Sequence, residues 1–233
     1  MSESLISIIV PVYNEAETIA EVLRRLFSVS LPGLQKEVIV INDGSTDLTK
    51  QALLPFLKEI IYLEHDCNKG KGAAIKTGFE QARGELVVIQ DGDLEYTPDE
   101  IPRLLAALRT HPEWDAVYGS RNLAPTGRGY SHYVAGVWLL TACVNAVFGS
   151  ALTDAYTCYK LMRTSAFRFL RLKCNGFEIE MEITAKLLAQ GKRIGEIPIS
   201  YRPRSFKEGK KIRARDGIRG LLALCRVAFG ARI

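Results

Sequence analysis

The chain has 233 residues, of which 47% are hydrophobic and 24% are charged, and its formal net charge is +5. These values are typical of a folded, soluble α/β protein, and the length fits one large domain or one domain with an appendage. The five cysteines form no CxxC pair, which argues against a disulfide framework or a zinc site and favours a reducing, cytoplasmic compartment. The first residues lack the basic region of a signal peptide, so we expect a protein that is not secreted.

The first 120 residues alternate predicted strands with predicted helices. Short apolar runs indicate strands, and apolar residues at helical spacing indicate helices. Strands of this number, separated by helices of this length, predict right-handed crossovers and an α/β fold with a mainly parallel central sheet flanked by helices. The strands are expected at 5–10, 38–41, 60–63, 86–89 and 116–118, and the helices at 15–27, 47–57, 73–83 and 99–109.

The pattern changes in the second half of the chain. Residues 133–153 carry no charge, and a run of 21 residues is just long enough to cross a bilayer. Glycine and asparagine within the run weaken that interpretation, and a crossing would separate Asp91 from the basic tail. We therefore expect a helix that is buried or lies in the membrane interface. The predicted elements here are helices at 133–148, 177–190 and 215–229 and a strand at 194–200.

The fourth predicted strand ends in two carboxylates, Asp91 and Asp93, which are separated by Gly92. Ligand sites of α/β proteins lie just past the carboxyl ends of such strands. Mg²⁺ and Mn²⁺ prefer oxygen ligands and share their shells with substrate phosphates. An acidic turn closed by Gly92 is the alternative, because Asp-Gly turns are common. The segment alone favours neither interpretation.

The first predicted strand ends in Pro11-Val-Tyr-Asn-Glu15. The Tyr13 ring can stack on a nucleobase, and the Glu15 carboxylate can accept hydrogen bonds from a base or a ribose. The alternative is a helix start, with Asn14 as the cap and Glu15 favoured by the helix dipole.

Two further segments carry residues suited to a nucleotide. Segment 42–47 follows the second strand and contains Asp43, which can meet a base or ribose, and its Ser and Thr can instead cap a helix. Segment 68–72, Asn-Lys-Gly-Lys-Gly, precedes a helix, and its glycines let backbone N–H groups approach phosphate oxygens. It lacks the spacing of a Walker loop, and a solvated loop is the alternative. Together with Asp91, these segments predict one binding edge of the sheet.

The C-terminal segment is strongly basic. Residues 201–233 carry a net charge of +8, so residues 1–200 carry −3. Such a segment prefers polyanions, namely diphosphates, phospholipid head groups or nucleic acid. Because aromatic residues are not interleaved through it, we expect no nucleic-acid partner.

The motifs, taken together, resemble those of family 2 glycosyltransferases with the GT-A fold. The closest resemblance is to polyprenol-phosphate (dolichol-phosphate) hexosyltransferases, and it covers the chain from about residue 5 to residue 211. The segments that carry the subgroup resemblance are 153–160 and 201–210. The motifs that carry the family resemblance are Pro11-Val-Tyr-Asn-Glu, Asn42-Asp-Gly-Ser-Thr-Asp, Asn68-Lys-Gly-Lys-Gly, Asp91-Gly-Asp-Leu and Gly119-Ser-Arg.

The resemblance implies a nucleotide-sugar site with a divalent metal, Mg²⁺ or Mn²⁺, bracketed by Asp91 and Asp93. Glu95 departs from the relatives, in which Gln often follows this motif; it either adds a third carboxylate to the metal or faces water. Guanidinium groups suit phosphate geometry, and surface salt bridges are their alternative role. The implied base and ribose residues are Pro11, Tyr13, Glu15, Ile41 and Asp43, and Lys71, Gly92, Arg121, Arg204 and Lys210 complete the donor site.

The resemblance also implies an inverting, in-line displacement in which the metal, Arg204 and Lys210 neutralise the leaving nucleoside diphosphate. A phosphate acceptor is already ionised near pH 7, so polyprenyl phosphate needs no strong base. A glycan hydroxyl acceptor is the alternative, and it requires a carboxylate base. The candidate bases are Asp154, Glu178 and Glu180. A non-enzymatic nucleotide-sugar-binding protein is the third possibility, and the intact acidic motif argues against it.

We expect a catalytic domain at 1–212, with a donor half at 1–121 and an acceptor half at 122–212, followed by a basic amphipathic helix at 213–233. Such helices lie on anionic membranes, although docking on the core is the alternative. The expected location is the cytoplasmic face of the membrane, with peripheral association and a possible homodimer.

Overall fold

The computed structural model describes residues 4–124, 131–205, 209 and 211–230, without the side chains of residues 131–134 and 214. Within these ranges seven strands form one sheet, in the order β3-β2-β1-β4-β6-β5-β7. Apolar residues dominate the central strands, as expected for strands covered on both faces. The strands are β1 (Ser4–Val12), β2 (Leu34–Asn42), β3 (Ile61–Glu64), β4 (Leu86–Ile89), β5 (Ala116–Ser120), β6 (Lys160–Arg163) and β7 (Ile194–Pro198).

The sheet is parallel apart from β6, which runs antiparallel to both of its neighbours. In register, Ile9 of β1 lies between Ile39 of β2 and Ile89 of β4. The carboxyl ends of these three strands therefore lie side by side at one edge. The predicted α/β fold with a mainly parallel sheet is confirmed. Strand β6 is missing from the prediction because its four residues begin with Lys and end with Arg, so they show no apolar run.

Eight helices surround the sheet in the described part of the chain. The first helix begins four residues later than predicted, because the backbone carbonyl oxygen of Glu15 accepts hydrogen bonds in a turn that precedes the helix. The second is shorter than predicted and continues as a 3₁₀ turn that contains Pro55, which cannot donate a helical hydrogen bond. They are α1 (Ile19–Ser28), α2 (Thr49–Leu53), α3 (Lys71–Gln81), α4 (Ile101–Thr110), α5 (Ser131–Phe148), α6 (Thr164–Phe167), α7 (Ile179–Ala189) and α8 (Ala214–Gly230).

Helices α5, α7 and α8 share a smaller apolar core beside the sheet, to which Leu140, Val144, Met181 and Leu224 contribute. Helix α5 is half buried, because Leu140 and Val144 face this core while Trp138 is 67% exposed. Among the helices in the described ranges, none combines the length and apolar character that a membrane crossing requires. The division of the chain at residue 212 stays a prediction.

Candidate active site

The carboxyl ends of β1, β2 and β4 open into a cavity of about 340 Å³. Its floor comes from the strand ends, and its far wall comes from the second half of the chain. The cavity thus joins segments that the sequence predicts at one edge with residues that follow much later. The predicted site residues that line it are Pro11, Tyr13, Glu15, Asp43, Lys71, Asp91, Gly92, Asp93, Glu95, Arg121 and Arg204.

The two carboxylates after β4 each face a cation. Lys71 Nζ lies 2.7 Å from Asp91 Oδ1, and Arg204 Nη2 lies 2.7 Å from Asp93 Oδ2. Burial and the negative charges of Asp91 and Glu95 raise the pKa of Asp93 to about 7, although Arg204 opposes the shift. The pKa shift thus comes first from burial and then from the repulsion between neighbouring carboxylates.

A hard divalent cation suits this donor set. Two carboxylates one residue apart supply oxygen ligands, and Mg²⁺ typically takes one or two carboxylates while phosphates and water complete its shell. A cation held here would also relieve the repulsion of Asp91 and Glu95 that, after burial, raises the pKa of Asp93. Within the described ranges no group of three or more His, Cys, Asp and Glu side chains is arranged to hold a metal. Asp91 and Asp93 thus fit a metal site in which a phosphate ligand and water supply the remaining oxygens.

Glu95 is engaged elsewhere. Tyr201 Oη donates a 2.7 Å hydrogen bond to Glu95 Oε2, and the Arg204 backbone N–H donates one of 2.9 Å to Glu95 Oε1. Both carboxylate oxygens therefore bind the segment that carries Arg204. In this arrangement Glu95 fastens the C-terminal segment to the strand end that holds the acidic pair.

The C-terminal segment crosses to the end of β1. The Arg204 guanidinium binds Glu15 in a bidentate pair, with N–O distances of 2.9 and 3.0 Å. Lys211 also binds the Glu15 carboxylate, and its Nζ lies 5.9 Å from the centre of the Tyr13 ring. Lys210, which the sequence predicts as a phosphate-facing residue, lies outside the described residues. Basic groups from the last part of the chain thus surround the side chains expected to hold the nucleoside.

Asp43 organises the glycine-containing loop before α3. Its two oxygens accept hydrogen bonds from the backbone N–H groups of Lys69 and Gly70, at 2.9 and 2.8 Å. His65 Nδ1 lies 2.7 Å from the same carboxylate, and the sequence alone offers no signal for this contact. Gly70 has φ = +97°, and a Cβ there would lie 2.4 Å from the Asn175 carbonyl oxygen. The close approach therefore requires glycine at this position.

The polar residues after β1 and β2 link the two loops rather than cap helices. Ser45 Oγ accepts the Asn14 backbone N–H at 3.0 Å, and Asn14 Oδ1 accepts the Thr46 backbone N–H at 2.8 Å. Asn14 adopts φ = +49°, a conformation that asparagine tolerates better than most residues. The helix-cap interpretation of these three residues is wrong, because their side chains cross between the loops.

Asp154, a candidate base, is fully buried behind Arg121. The Arg121 guanidinium forms a bidentate pair with it, at 2.7 Å to Oδ2 and 2.8 Å to Oδ1. Arg121 itself lines the cavity and stacks against the Tyr201 ring at 5.3 Å. Asp154 thus orients a cavity arginine. Ile41, expected near the base, is completely buried and packs in an apolar cluster with Ile9.

The far wall of the cavity contains residues that the sequence does not predict as binding groups. They come from α5, from the segment before β6, from the start of α7 and from the segment before α8. Glu180 is predicted only as a candidate base. Two of the wall residues belong to segment 153–160, which carries the subgroup resemblance. The wall residues are Val137, Tyr156, Cys158, Phe177, Glu180 and Ile212.

The sequence profile described as glycosyl transferase family 2 matches residues 7–171, which is more than half of the chain. The chain belongs to this family. The match covers all three strand ends and the segment before β6, so the cavity is built largely from the family domain. The resemblance drawn from the motifs is confirmed.

Curated relatives of this glycosyl transferase family 2 chain include two with the same name, undecaprenyl-phosphate 4-deoxy-4-formamido-L-arabinose transferase. The relative from Salmonella choleraesuis (strain SC-B67) is 29% identical over 212 residues, and that from Edwardsiella ictaluri (strain 93-146) is 27% identical over 211 residues. Each alignment covers 88% of this chain and 62% of the relative. The chain thus spans less than two thirds of the length of these relatives.

Solved structures of glucosyl-3-phosphoglycerate synthase from Mycobacterium tuberculosis share the fold. The complex with Mg²⁺ and uridine diphosphate has a TM-score of 0.75 at 18% identity, covering 97% of this chain and 80% of that one. The complex with Mn²⁺, uridine-diphosphate-glucose and phosphoglyceric acid has a TM-score of 0.73 at 19% identity, with the same coverage. At this identity the likeness establishes the fold alone, and the predicted GT-A fold is confirmed.

Proposed function

We propose that the chain is a metal-dependent, inverting glycosyltransferase that moves a hexose from a nucleotide sugar to a polyprenyl phosphate. The observation that carries the proposal is the meeting, in one cavity, of carboxylates from three strand ends with cationic groups from α3 and the C-terminal segment. Acidic residues suit a metal and a nucleoside, and basic residues suit phosphates. This combination fits a nucleoside-diphosphate donor.

The donor fits the half of the cavity formed by the strand ends. Tyr13 and Glu15 are available for the nucleoside, and Asp91 and Asp93 hold Mg²⁺ or Mn²⁺, which neutralises charge on the diphosphate when bound. Solved structures with the same fold contain uridine diphosphate with either metal, so UDP is tested before GDP. Arg204 now pairs with Glu15 and Asp93, and donor binding redirects its guanidinium to phosphate oxygens.

The chemistry proposed is an in-line displacement at the anomeric carbon. The acceptor phosphate oxygen attacks, the bond to the diphosphate oxygen breaks, and configuration inverts. A phosphate monoester is ionised near pH 7, so no side chain has to remove a proton from it. Asp154 is then not required as a base, in agreement with its bidentate pair with Arg121.

The acceptor fits the far wall. Val137, Phe177 and Ile212 make that side apolar, and Lys71 supplies a positive charge beside it. An apolar wall with one ammonium group suits an isoprenoid phosphate better than a polyhydroxylated glycan. The curated relatives named for undecaprenyl phosphate support this acceptor class.

Helices α5 and α8 supply a face for peripheral membrane association. Their buried sides pack together, while their outer sides expose large apolar residues. On α5, Val137 lines the cavity and its neighbour Trp138 faces outward, so one helix links the exposed face to the acceptor wall. We infer association with the cytoplasmic face of the membrane; a homodimer formed by pairing of two copies through this face is the alternative. The exposed residues are Trp138, Leu139, Val147, Ile218, Leu221, Leu222 and Phe229.

The membrane inference is tested by sedimentation with anionic phosphatidylglycerol vesicles. Trp138→Glu is expected to weaken binding about 10- to 100-fold, because a buried aromatic side chain contributes about 1.5–3 kcal/mol. Phe169→Glu is the matched control, since Phe169 is 72% exposed but lies outside this face. Equal binding by wild type and Trp138→Glu would contradict the inference.

The proposed activity is tested by release of UDP or GDP from UDP- and GDP-hexoses with Mn²⁺. Release that requires polyprenyl phosphate supports the proposal. Release that requires a soluble glycan and ignores polyprenyl phosphate supports the alternative hydroxyl acceptor. Nucleotide binding without turnover on either acceptor contradicts both.

A further inference from the structure

A set of four charged side chains extends from the cavity into the protein core. Lys71 Nζ contacts Asp91 Oδ1 at 2.7 Å, Cys158 Sγ at 2.8 Å and Glu180 Oε1 at 3.1 Å. The other Glu180 oxygen, Oε2, lies 2.6 Å from Lys160 Nζ. The set therefore runs from the strand end that holds the acidic pair to β6, and its two lysines and two carboxylates balance in charge.

The far end of this set is buried in the protein core. Lys160 is fully inaccessible to solvent and Glu180 is 2% exposed. Lys160 Nζ also donates to the Thr157 carbonyl oxygen and lies 4.9 Å from the centre of the Tyr118 ring. Burying an ion pair carries a large desolvation cost for each ion, and replacing the pair by well-packed apolar residues often leaves a protein equally or more stable. Stability alone therefore gives weak grounds for placing these charges here.

The acidity of Glu180 rules against its use as a base. Burial opposes ionisation of the carboxyl, but Lys160 and Lys71 outweigh it and hold the pKa of Glu180 below its ordinary value. Such a carboxylate stays ionised and takes up protons poorly at neutral pH. What it does at the cavity is attract the Lys71 ammonium.

We propose that Glu180, braced from below by Lys160, is a positioning residue that holds Lys71 in the cavity for contact with a phosphate oxygen. An ammonium group has three donors; in the structure Lys71 donates to Asp91 and Cys158 and forms an ion pair with Glu180. With a divalent cation held by Asp91, one donor of Lys71 would become free. Glu180 then keeps the ammonium at the boundary between the donor and acceptor sides, because its own position is set by the buried Lys160.

The ligand class is a phosphate oxygen, either of the donor diphosphate or of the acceptor monoester. This inference rests on the proposed function, which supplies both phosphates. The two sources of the phosphate oxygen are separable by experiment. A role toward the donor appears in UDP affinity, whereas a role toward the acceptor appears in the KM for polyprenyl phosphate with UDP affinity unchanged. Either effect supports the positioning role.

The test is a double-mutant cycle between Lys71→Met and Glu180→Gln, read by calorimetry of UDP with Mn²⁺ and by kcat and KM for both substrates. Glu180→Gln is expected to lower kcat/KM about 10- to 100-fold, as small displacements of catalytic groups do. In the Lys71→Met background the same change is expected to cost less than about twofold, because the two residues act as one unit. Additive losses would overturn the proposal, since they indicate separate roles.

Glu182→Gln is the matched control. Glu182 lies two residues further along α7 and is 3% exposed, but it binds Lys186 and the backbone N–H groups of residues 173 and 174. It is expected to leave UDP affinity and kcat/KM within about twofold of wild type. A loss equal to that of Glu180→Gln would show a general effect of α7 and would overturn the proposal.

A second variant protects the test against unfolding. Glu180→Gln leaves Lys160 as a buried charge without its carboxylate, so Lys160→Met/Glu180→Gln removes both. This variant is expected to keep the wild-type melting temperature more closely and to show the same loss of kcat/KM. Wild-type affinity and turnover in this variant would overturn the positioning role of Glu180 but leave the proposed function intact. A wild-type chain that binds neither UDP nor GDP would instead overturn the proposed function, and with it the phosphate role of Lys71.

Discussion

Replacing Asp154 by Asn separates the two roles open to this carboxylate, a catalytic base and an anchor for Arg121. Asn keeps the shape but removes the charge, and its amide N–H group then faces the N–H groups of the guanidinium. Asp154 is completely buried, and the Arg121 side chain is only 17% exposed. Removing one member of a buried ion pair costs about 3–5 kcal/mol.

The expected loss can be measured in two ways. In a chain of this size each kcal/mol shifts the melting temperature by about 2–4 °C, so Asp154→Asn is expected to lower it by about 6–20 °C. Because Arg121 then loses its orientation at the cavity, kcat/KM is expected to fall about 100-fold. Calorimetric melting and steady-state release of nucleoside diphosphate measure the two effects.

The double variant Asp154→Leu/Arg121→Met sharpens the interpretation. It removes both charges, so we expect much of the lost stability to return while activity stays low. A different pattern would refute the positioning role. If the Asp154→Asn variant melts at the wild-type temperature while its kcat falls and no longer depends on pH, Asp154 acts as a base.

Two further predictions concern the acidic pair and a buried carboxylate far from the cavity. Asp91→Asn/Asp93→Asn is expected to abolish the Mn²⁺ dependence of UDP binding in calorimetry and to lower kcat by at least about 100-fold, and full turnover by this variant would refute the metal assignment. Burial opposes ionisation of Glu37, but hydrogen bonds from Ser7 and Arg83 outweigh burial and lower the pKa of Glu37. The ionised Glu37 therefore stabilises the fold fully above the pKa of the unfolded chain, and this stabilisation is lost as the pH falls through the pKa of the folded chain. Glu37→Gln is therefore expected to lower the free energy of unfolding by about 1–3 kcal/mol at pH 7. In urea titrations the difference from wild type is expected to shrink below about pH 4. A difference that does not depend on pH would contradict this account.

The local sequence pattern determined the sheet and its binding edge. Apolar runs followed by polar residues mark β1, β2 and β4, and the carboxyl ends of parallel strands share one edge. Hence Glu15, Asp43 and Asp91 were predicted near one another, and the structure brings them to one cavity. Strand positions and side-chain chemistry at strand ends depend on neighbouring residues, so they can be derived from the sequence.

Only the tertiary structure decided which charged groups meet. Arg204 and Glu15 are 189 residues apart, Tyr201 and Glu95 are 106 apart, and no local pattern predicts either pair. The short antiparallel strand β6 likewise places Lys160 under Glu180, although its sequence shows no apolar run. Such pairings depend on how helices and segments pack across the sheet, and that packing optimises burial over the whole chain. The acidic pair after β4 therefore follows from the sequence, whereas its pairing with Arg204 follows from the fold.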